Sequence, residues 1–449
     1  MSAIVVSHTS GLPLLEEHSF RFRGTCIVLL IALVATCCIS LIVFATTAAA
    51  IPFDPAVFHV FFTPQRLANA ALVVSGFALI GSSFIFAPAP IGYYVGIYLY
   101  AMVLSFLWLN CFSDLDYNHT LAGISAFLSC ALFLLPALFW AHPLSIDFQL
   151  SLSAFDKLLL VLLCFASVVI VVGVRYSFSF VAIDEMAAAR ENLATPRVLN
   201  YLLAMMISSL LPFTFAGLVA RRKHMLAALA IVLQFFLYPI TLSKLALFAP
   251  FWLIFLLLLI KVLEFRLAAI VSLLLPMLAA LLAVLLIGGR AGLPFSIINF
   301  RMIAVPAVAL DVYNHFFSRH DLTYFCQISV VKAFVGCAYD TQLSVIMQQQ
   351  YRLGNFNASF FATEGIASVG PWLAPLVVLG CGFVVAIGNR VSAGLSPRFV
   401  LLSGAMLPQV FLNVPLTVAF VTHGVALLYL LWLVTPRALL MRESDAALS

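Results

Sequence analysis

The chain has 449 residues, of which 64% are hydrophobic and only 9% charged, with a formal net charge of +5. A soluble domain carries about a quarter charged residues, so this composition excludes a soluble globular protein and indicates a polytopic membrane protein. The positive charge is spread along the chain with no basic block, which argues against a nucleic-acid partner.

A membrane-crossing helix needs about 20 apolar residues. On that rule the sequence predicts an all-α polytopic fold with about twelve transmembrane helices. They run over 26–45, 68–87, 91–111, 121–140, 158–174, 202–220, 225–240, 245–260, 267–287, 372–387, 399–413 and 416–434. Residues 1–24 are polar and mixed in charge, and the apolar run behind them lacks a cleavage site, so it reads as an uncleaved first helix. The last two predicted helices share a tight turn at Asn413-Val-Pro415.

Orientation follows from lysine and arginine in the short connections. One side collects Arg21, Arg23, Lys157, Arg221, Arg222, Lys223, Lys261, Arg266, Arg390, Arg398, Arg437 and Arg442, while the short connections of the other side hold Arg66 and Lys244. This puts both termini in the cytoplasm. It leaves two long extracytoplasmic loops, 175–200 and 288–370, each with composition suited to short amphipathic helices. Most of the nine cysteines lie in apolar runs as small hydrophobes. Cys326 and Cys337 lie in the second loop, where an oxidising compartment would allow them to pair.

The second loop holds most of the residues capable of chemistry. Pro306 can start a helix because its missing N–H would be unpaired there. On that helix Asp311, His315 and Arg319 fall four residues apart and share a face, with Tyr313 between them. The strip suits an anionic, hydroxyl-rich substrate; an amphipathic helix resting on the membrane has the same pattern. Arg290, Arg301, Arg319 and Arg352, with Arg175 from the first loop, supply guanidinium forks that match phosphate oxygens. Single arginines of this kind also snorkel to lipid head groups. Glu364 precedes the tenth predicted helix near Asn357; a carboxylate at a membrane edge can serve as a base or cap a helix. The sequence has no Gly-rich phosphate loop, no His-Glu-x-x-His and no Cys-x-x-Cys, so neither a nucleotide nor a metal is expected.

Two patches then resemble a known family. The first is Arg301…Pro306…Asp311…Tyr313…Phe316-Phe317, and the second is Asn355-Phe-Asn357-Ala…Glu364-Gly365…Gly370-Pro371. With Ser243-Lys244 and the layout of helices and loops, they make the chain similar to the oligosaccharide repeat-unit polymerases of bacterial inner membranes, the O-antigen polymerase type. The repeated arginine-to-glycine motif of some members is absent from both loops. The resemblance implies inverting glycosyl transfer on the outer face, in which a growing glycan leaves undecaprenyl pyrophosphate for a hydroxyl of the next lipid-linked repeat unit. It implies that Arg301 and Arg319, supported by Arg290 and Arg175, hold the departing pyrophosphate. The base is then Asp311, His315 or Glu364, with Tyr313 and Asn357 on the substrate. Membrane lipids, a chain-length regulator and a flippase are the implied partners. Alternatives are an O-antigen ligase, another polyprenyl-linked glycosyltransferase, a secondary transporter or a membrane scaffold. A transporter calls for ionisable groups at mid-membrane, where the sequence offers His423 alone, and for an internal repeat, which it lacks.

Overall fold

The computed structural model describes residues 12–46, 58–144, 148–183, 185–191, 193, 195–288, 292–353 and 358–437. Regular structure in these residues is helical, apart from an isolated bridge between Val60 and Ser113. Eleven helices are long and apolar enough to cross a membrane. The first five are α1 (Leu12–Thr46), α2 (Pro64–Phe86), α3 (Pro90–Asn110), α4 (His119–Phe139) and α5 (Leu152–Val174). The next four are α6 (Arg197–Ala220), α7 (His224–Thr241), α8 (Lys244–Val262) and α9 (Phe265–Ile287), and the last two are α10 (Gly292–Phe317) and α11 (Phe361–Ser392).

The bundle is built around α3, which is buried along its length. Its sequence is apolar on every side, as a helix enclosed by other helices must be. Its hydroxyl and amide groups find partners within the protein. Tyr98 Oη lies 2.9 Å from Ser272 Oγ, and Trp252 Nε1 donates to Tyr94 Oη at 3.2 Å. Gly92 N donates to Asn389 Oδ1 at 2.8 Å, and Asn389 Nδ2 donates to the Ala137 carbonyl at 2.8 Å. That single amide ties α3, α4 and α11 together where they cross.

One end of the bundle is basic. Asp156 takes Arg221 at 2.8 Å and Lys223 at 3.0 Å, and Arg390 donates to the His142 carbonyl and lies over Trp140. Arg266 covers Phe22 near the start of α1, and Arg437 donates to the Ala393 carbonyl. Phe22 and Arg437 therefore lie at this basic end. The opposite end carries the 59–66 and 111–118 connections, which meet through His59 and Asp114 at 3.0 Å.

The stretch 288–370, expected as one loop, is largely helical. α10 is long enough to cross, and its contacts run from the middle of α9 to the opposite end. Asn299 Nδ2 donates to Ser40 Oγ and to the Met277 carbonyl, Phe300 packs on Phe44 and Phe58, and Asp311 meets Ser113. α10 thus reaches from the middle of α9, at Met277, to that end, at Ser113. As expected, Pro306 stands in the first turn of an α-helical segment, Val305–Phe317, which continues α10 from a π-helical one. The preceding turn, Ser296–Ala304, is π-helical and contains Met302, whose carbonyl would otherwise await the N–H that Pro306 lacks. α6 repeats the device, with π-helical Met206–Leu210 ahead of Pro212.

α11 is a hairpin. Gly370 has φ 74° and ψ 171°, a conformation open to glycine and strained for other residues. The limb Phe361–Ala367 folds back so that Gly365 packs on Ala374 and Val378. Phe360, before the limb, packs on Phe133 and Phe411. The two helices predicted over 399–434 are instead four short ones, Pro397–Ser403, Leu407–Asn413, Leu416–Val421 and Val425–Val434. Pro408, Pro415 and Gly424 divide them.

A Cβ on Gly92 would stand 1.7 Å from the Ala137 carbonyl oxygen, whereas one on Gly76 would meet nothing within 4 Å. Gly92→Ala must push α3 off α4, costing at least the ~1–3 kcal/mol of an overpacked core. Thermal unfolding in detergent should show a clearly lowered melting temperature for Gly92→Ala and none for Gly76→Ala. Equal melting would contradict this packing.

Candidate functional site

The polar residues gather where α10 crosses the α3–α4 connection. The run Ser113-Asp114-Leu115-Asp116-Tyr117-Asn118-His119 is too polar to continue either helix through apolar surroundings, so α3 stops at Asn110. Asn118 caps α4 by accepting from Leu121 N at 2.9 Å. Against this turn lies Asp311, with no exposed surface. Ser113 Oγ donates to Asp311 Oδ2 at 2.8 Å, and Tyr117 Oη bonds Asp311 Oδ1. A buried carboxyl without partners would be costly; here both oxygens are occupied. Burial first, and the neighbouring Asp311 second, push the Tyr117 hydroxyl well above the ordinary tyrosine range, so it keeps its proton.

The same turn receives the rest of the strip. Arg319, two residues beyond the end of α10, bonds Asp116 Oδ2 at 2.7 Å and the Asp116 carbonyl at 3.0 Å. This pair is exposed and contributes little stability. His315 is half-buried, with Nδ1 2.5 Å from Tyr351 Oη. Burial pushes the Tyr351 hydroxyl up. Among the described residues, no partner is recorded for His315 Nε2. Of the predicted strip, Asp311 and Arg319 thus meet the α3–α4 connection, while His315 meets Tyr351. Phe316 and Phe317 are buried, and Tyr313 is buried close enough to Glu364 to feel its charge. Glu364 is 7% exposed in the hairpin limb, where Thr363 Oγ1 donates to it at 2.6 Å and the Leu416 and Thr417 backbone N–H groups face it.

The arginines separate. Arg301 is exposed on α10, close enough to Lys244 at the start of α8 for their charges to interact. Neither cation has an acidic partner among the described residues. Arg301 and Arg319 stand about 27 Å apart along the helix axis, so one pyrophosphate cannot bridge them. Arg175 caps α5 beside the end of α7, where Ser179 N donates to the Pro239 carbonyl, rather than beside α10. Arg290 and Asn357 lie outside the described residues. Beyond α10, Cys326 and Cys337 form a disulfide, and the Thr323 and Tyr324 N–H groups bond the Ala367 and Ser368 carbonyls, fixing this segment to the hairpin.

The residues missed by sequence reasoning are those of the α3–α4 connection: Asn110, Ser113, Tyr117 and His119. Their signal is the density of polar side chains in and beside an eight-residue gap between two apolar helices. No His/Cys/Asp/Glu group capable of holding a metal occurs among the described residues. No family model, curated protein or solved structure matches the chain.

Tyr117→Phe removes one of the two hydrogen-bond partners of a fully buried carboxyl and should destabilise by ~1–3 kcal/mol. Adding Asp311→Leu should cost less than the two single changes together, because the stranded group is gone. Additive melting shifts would contradict the contact.

Proposed function

We propose that the chain is a membrane glycosyltransferase that polymerises undecaprenyl-pyrophosphate-linked oligosaccharide repeat units at the outer face of a bacterial inner membrane. The observation that carries the reading is the position of the polar set. It lies along the C-terminal half of α10 and the α3–α4 connection, at the end opposite the basic one. The basic end is then cytoplasmic by the distribution of lysine and arginine, with both termini inside. The Cys326–Cys337 disulfide is in keeping with an oxidising outer compartment.

In this reading Arg301 and Lys244 hold the departing pyrophosphate, whose charge builds as the sugar–phosphate C–O bond breaks. His315 is the base. Tyr351 accepts from Nδ1–H and so fixes the tautomer whose Nε2 lone pair takes the acceptor hydroxyl proton. The acceptor oxygen then bonds the anomeric carbon from the face opposite the leaving group, giving inversion. Arg301 and His315 are about 21 Å apart along the helix axis, a span their side chains and one sugar can fill. Asp311, with both oxygens engaged by Ser113 and Tyr117, is placed to orient this arrangement rather than to take the proton. Glu364 holds the hairpin to the helix at Leu416.

A second reading has one observation in its favour. A broken helix that carries a buried carboxylate, as at Glu364 and Gly370, is also how secondary transporters build ion sites.

Deletion of the gene, followed by electrophoresis of surface polysaccharide, separates these. Loss of long polymer down to a single repeat unit is expected, with the same loss in Arg301→Ala and His315→Ala. Polymer that accumulates on its lipid carrier without reaching its final acceptor would make the protein a ligase. An unchanged glycan would overturn the reading in favour of transport. In intact cells Cys337 should resist maleimide until a reductant is added; labelling without reductant would contradict the outward placement.

A further inference from the structure

The α3–α4 connection holds more hydrogen-bond contacts than an ionised Asp311 and a neutral His119 can fill. Tyr117 Oη faces Asp311 Oδ1 and, at 2.8 Å, Asn110 Oδ1. The Asn110 amide is oriented by Nδ2, which donates to the His119 carbonyl at 3.0 Å, so its oxygen points into the cluster. His119 Nδ1 lies 2.8 Å from that same oxygen, and His119 Nε2 lies 2.9 Å from the Leu115 carbonyl. Each of these four contacts needs a proton between two acceptors. Tyr117 supplies one and a neutral His119 supplies one. Two contacts then set lone pair against lone pair in a partly buried cluster, where unfilled contacts are costly. A proton on Asp311 fills one of them. It donates to Tyr117 Oη, which turns its own proton to Asn110 Oδ1. A second proton on His119 fills the last.

We propose that Asp311, Tyr117, Asn110 and His119 form one proton-sharing unit in which Asp311 rests as a neutral acid and His119 is the end that exchanges with the outside. This makes Tyr117 and His119 positioning residues that set the charge of Asp311 beneath His315. It rests on the glycosyl-transfer reading only for the purpose of that charge, which would otherwise repel a pyrophosphate. The other groups facing the unit are known. Ser113 donates to Asp311, and Asp114 and Tyr351 lie within its field. Arg66 and Asp116 lie near His119, and the Tyr117 ring lies against it, tilted by 40°, with centroids 4.2 Å apart. Asp114 is engaged by His59, and Asp116 by Arg319.

The test is infrared difference spectroscopy of the purified full chain in lipid nanodiscs across a pH series. The expected result is a protonated-carboxyl carbonyl band at neutral pH that disappears in Asp311→Asn and persists in Glu364→Gln. Its frequency should shift in Tyr117→Phe. In His119→Gln, the pH at which the band is lost should move by more than about one unit, as coupled sites require. Ser113→Ala, which keeps the Tyr117 contact, should retain the band if Tyr117→Phe fails to fold. Absence of the band at neutral pH, or a midpoint indifferent to His119→Gln, overturns the proposal. The signal requires no polymer to be made. Its failure leaves the glycosyl-transfer reading standing, and an unchanged glycan with the band present removes that reading alone.

Discussion

The contact between Asp311 and the α3–α4 connection holds together the end of the bundle opposite the basic one. α3 is enclosed by the bundle and can end only where polar groups find partners. Its last turn runs into Ser113 and Tyr117, which require an acceptor. α10 brings the acceptor from the far side of the chain. The carboxyl in turn requires those partners, because it has no exposed surface. Each side of the contact would be a liability without the other. Together they fix a 26-residue apolar helix to that end of the bundle.

From that constraint the rest follows in order. With α10 pinned at Asp311, Arg301 is carried toward Lys244, and His315 toward Tyr351. The hairpin at Gly370 brings Glu364 beneath Tyr313, and the segment around the Cys326–Cys337 bridge is tied to the hairpin by backbone bonds. Each π-helical turn in α6 and α10 sits ahead of a proline, so the chain can pass the missing donor without ending the helix. The site is thus set on long helices, which position side chains more precisely than a free loop would.

Much of this is legible in the sequence because apolar runs of membrane length are an unambiguous signal. α3 to α9 stand within a few residues of where hydropathy places them. The stretch 292–317 misleads because Arg301, Asp311, His315 and Pro306 read as loop chemistry. Hydropathy cannot register that two of these side chains turn onto polar partners from another helix and that a π turn accommodates the proline. The prolines and Gly424 break up 399–434 for a local reason, but apolar composition alone spans it smoothly. The site was visible in part. The face of Asp311, His315 and Arg319 follows from helical spacing, while Tyr117 and His119 lie some two hundred residues away, and nothing in the sequence pairs them with α10. The arginines illustrate the converse. They look alike in sequence, and geometry divides them, with Arg319 engaged by Asp116, Arg175 beside α7 and Arg301 free of any acidic partner among the described residues.

The central claim is that the outer end of the bundle joins lipid-linked oligosaccharides. It is tested most directly by placing the purified chain in nanodiscs with undecaprenyl-pyrophosphate-linked repeat units and following the products by mass spectrometry. The account predicts lipid-linked glycans that lengthen by whole repeat units, with one undecaprenyl pyrophosphate released for each bond made. Intact starting material, or transfer of the glycan to a different acceptor without lengthening, would contradict it.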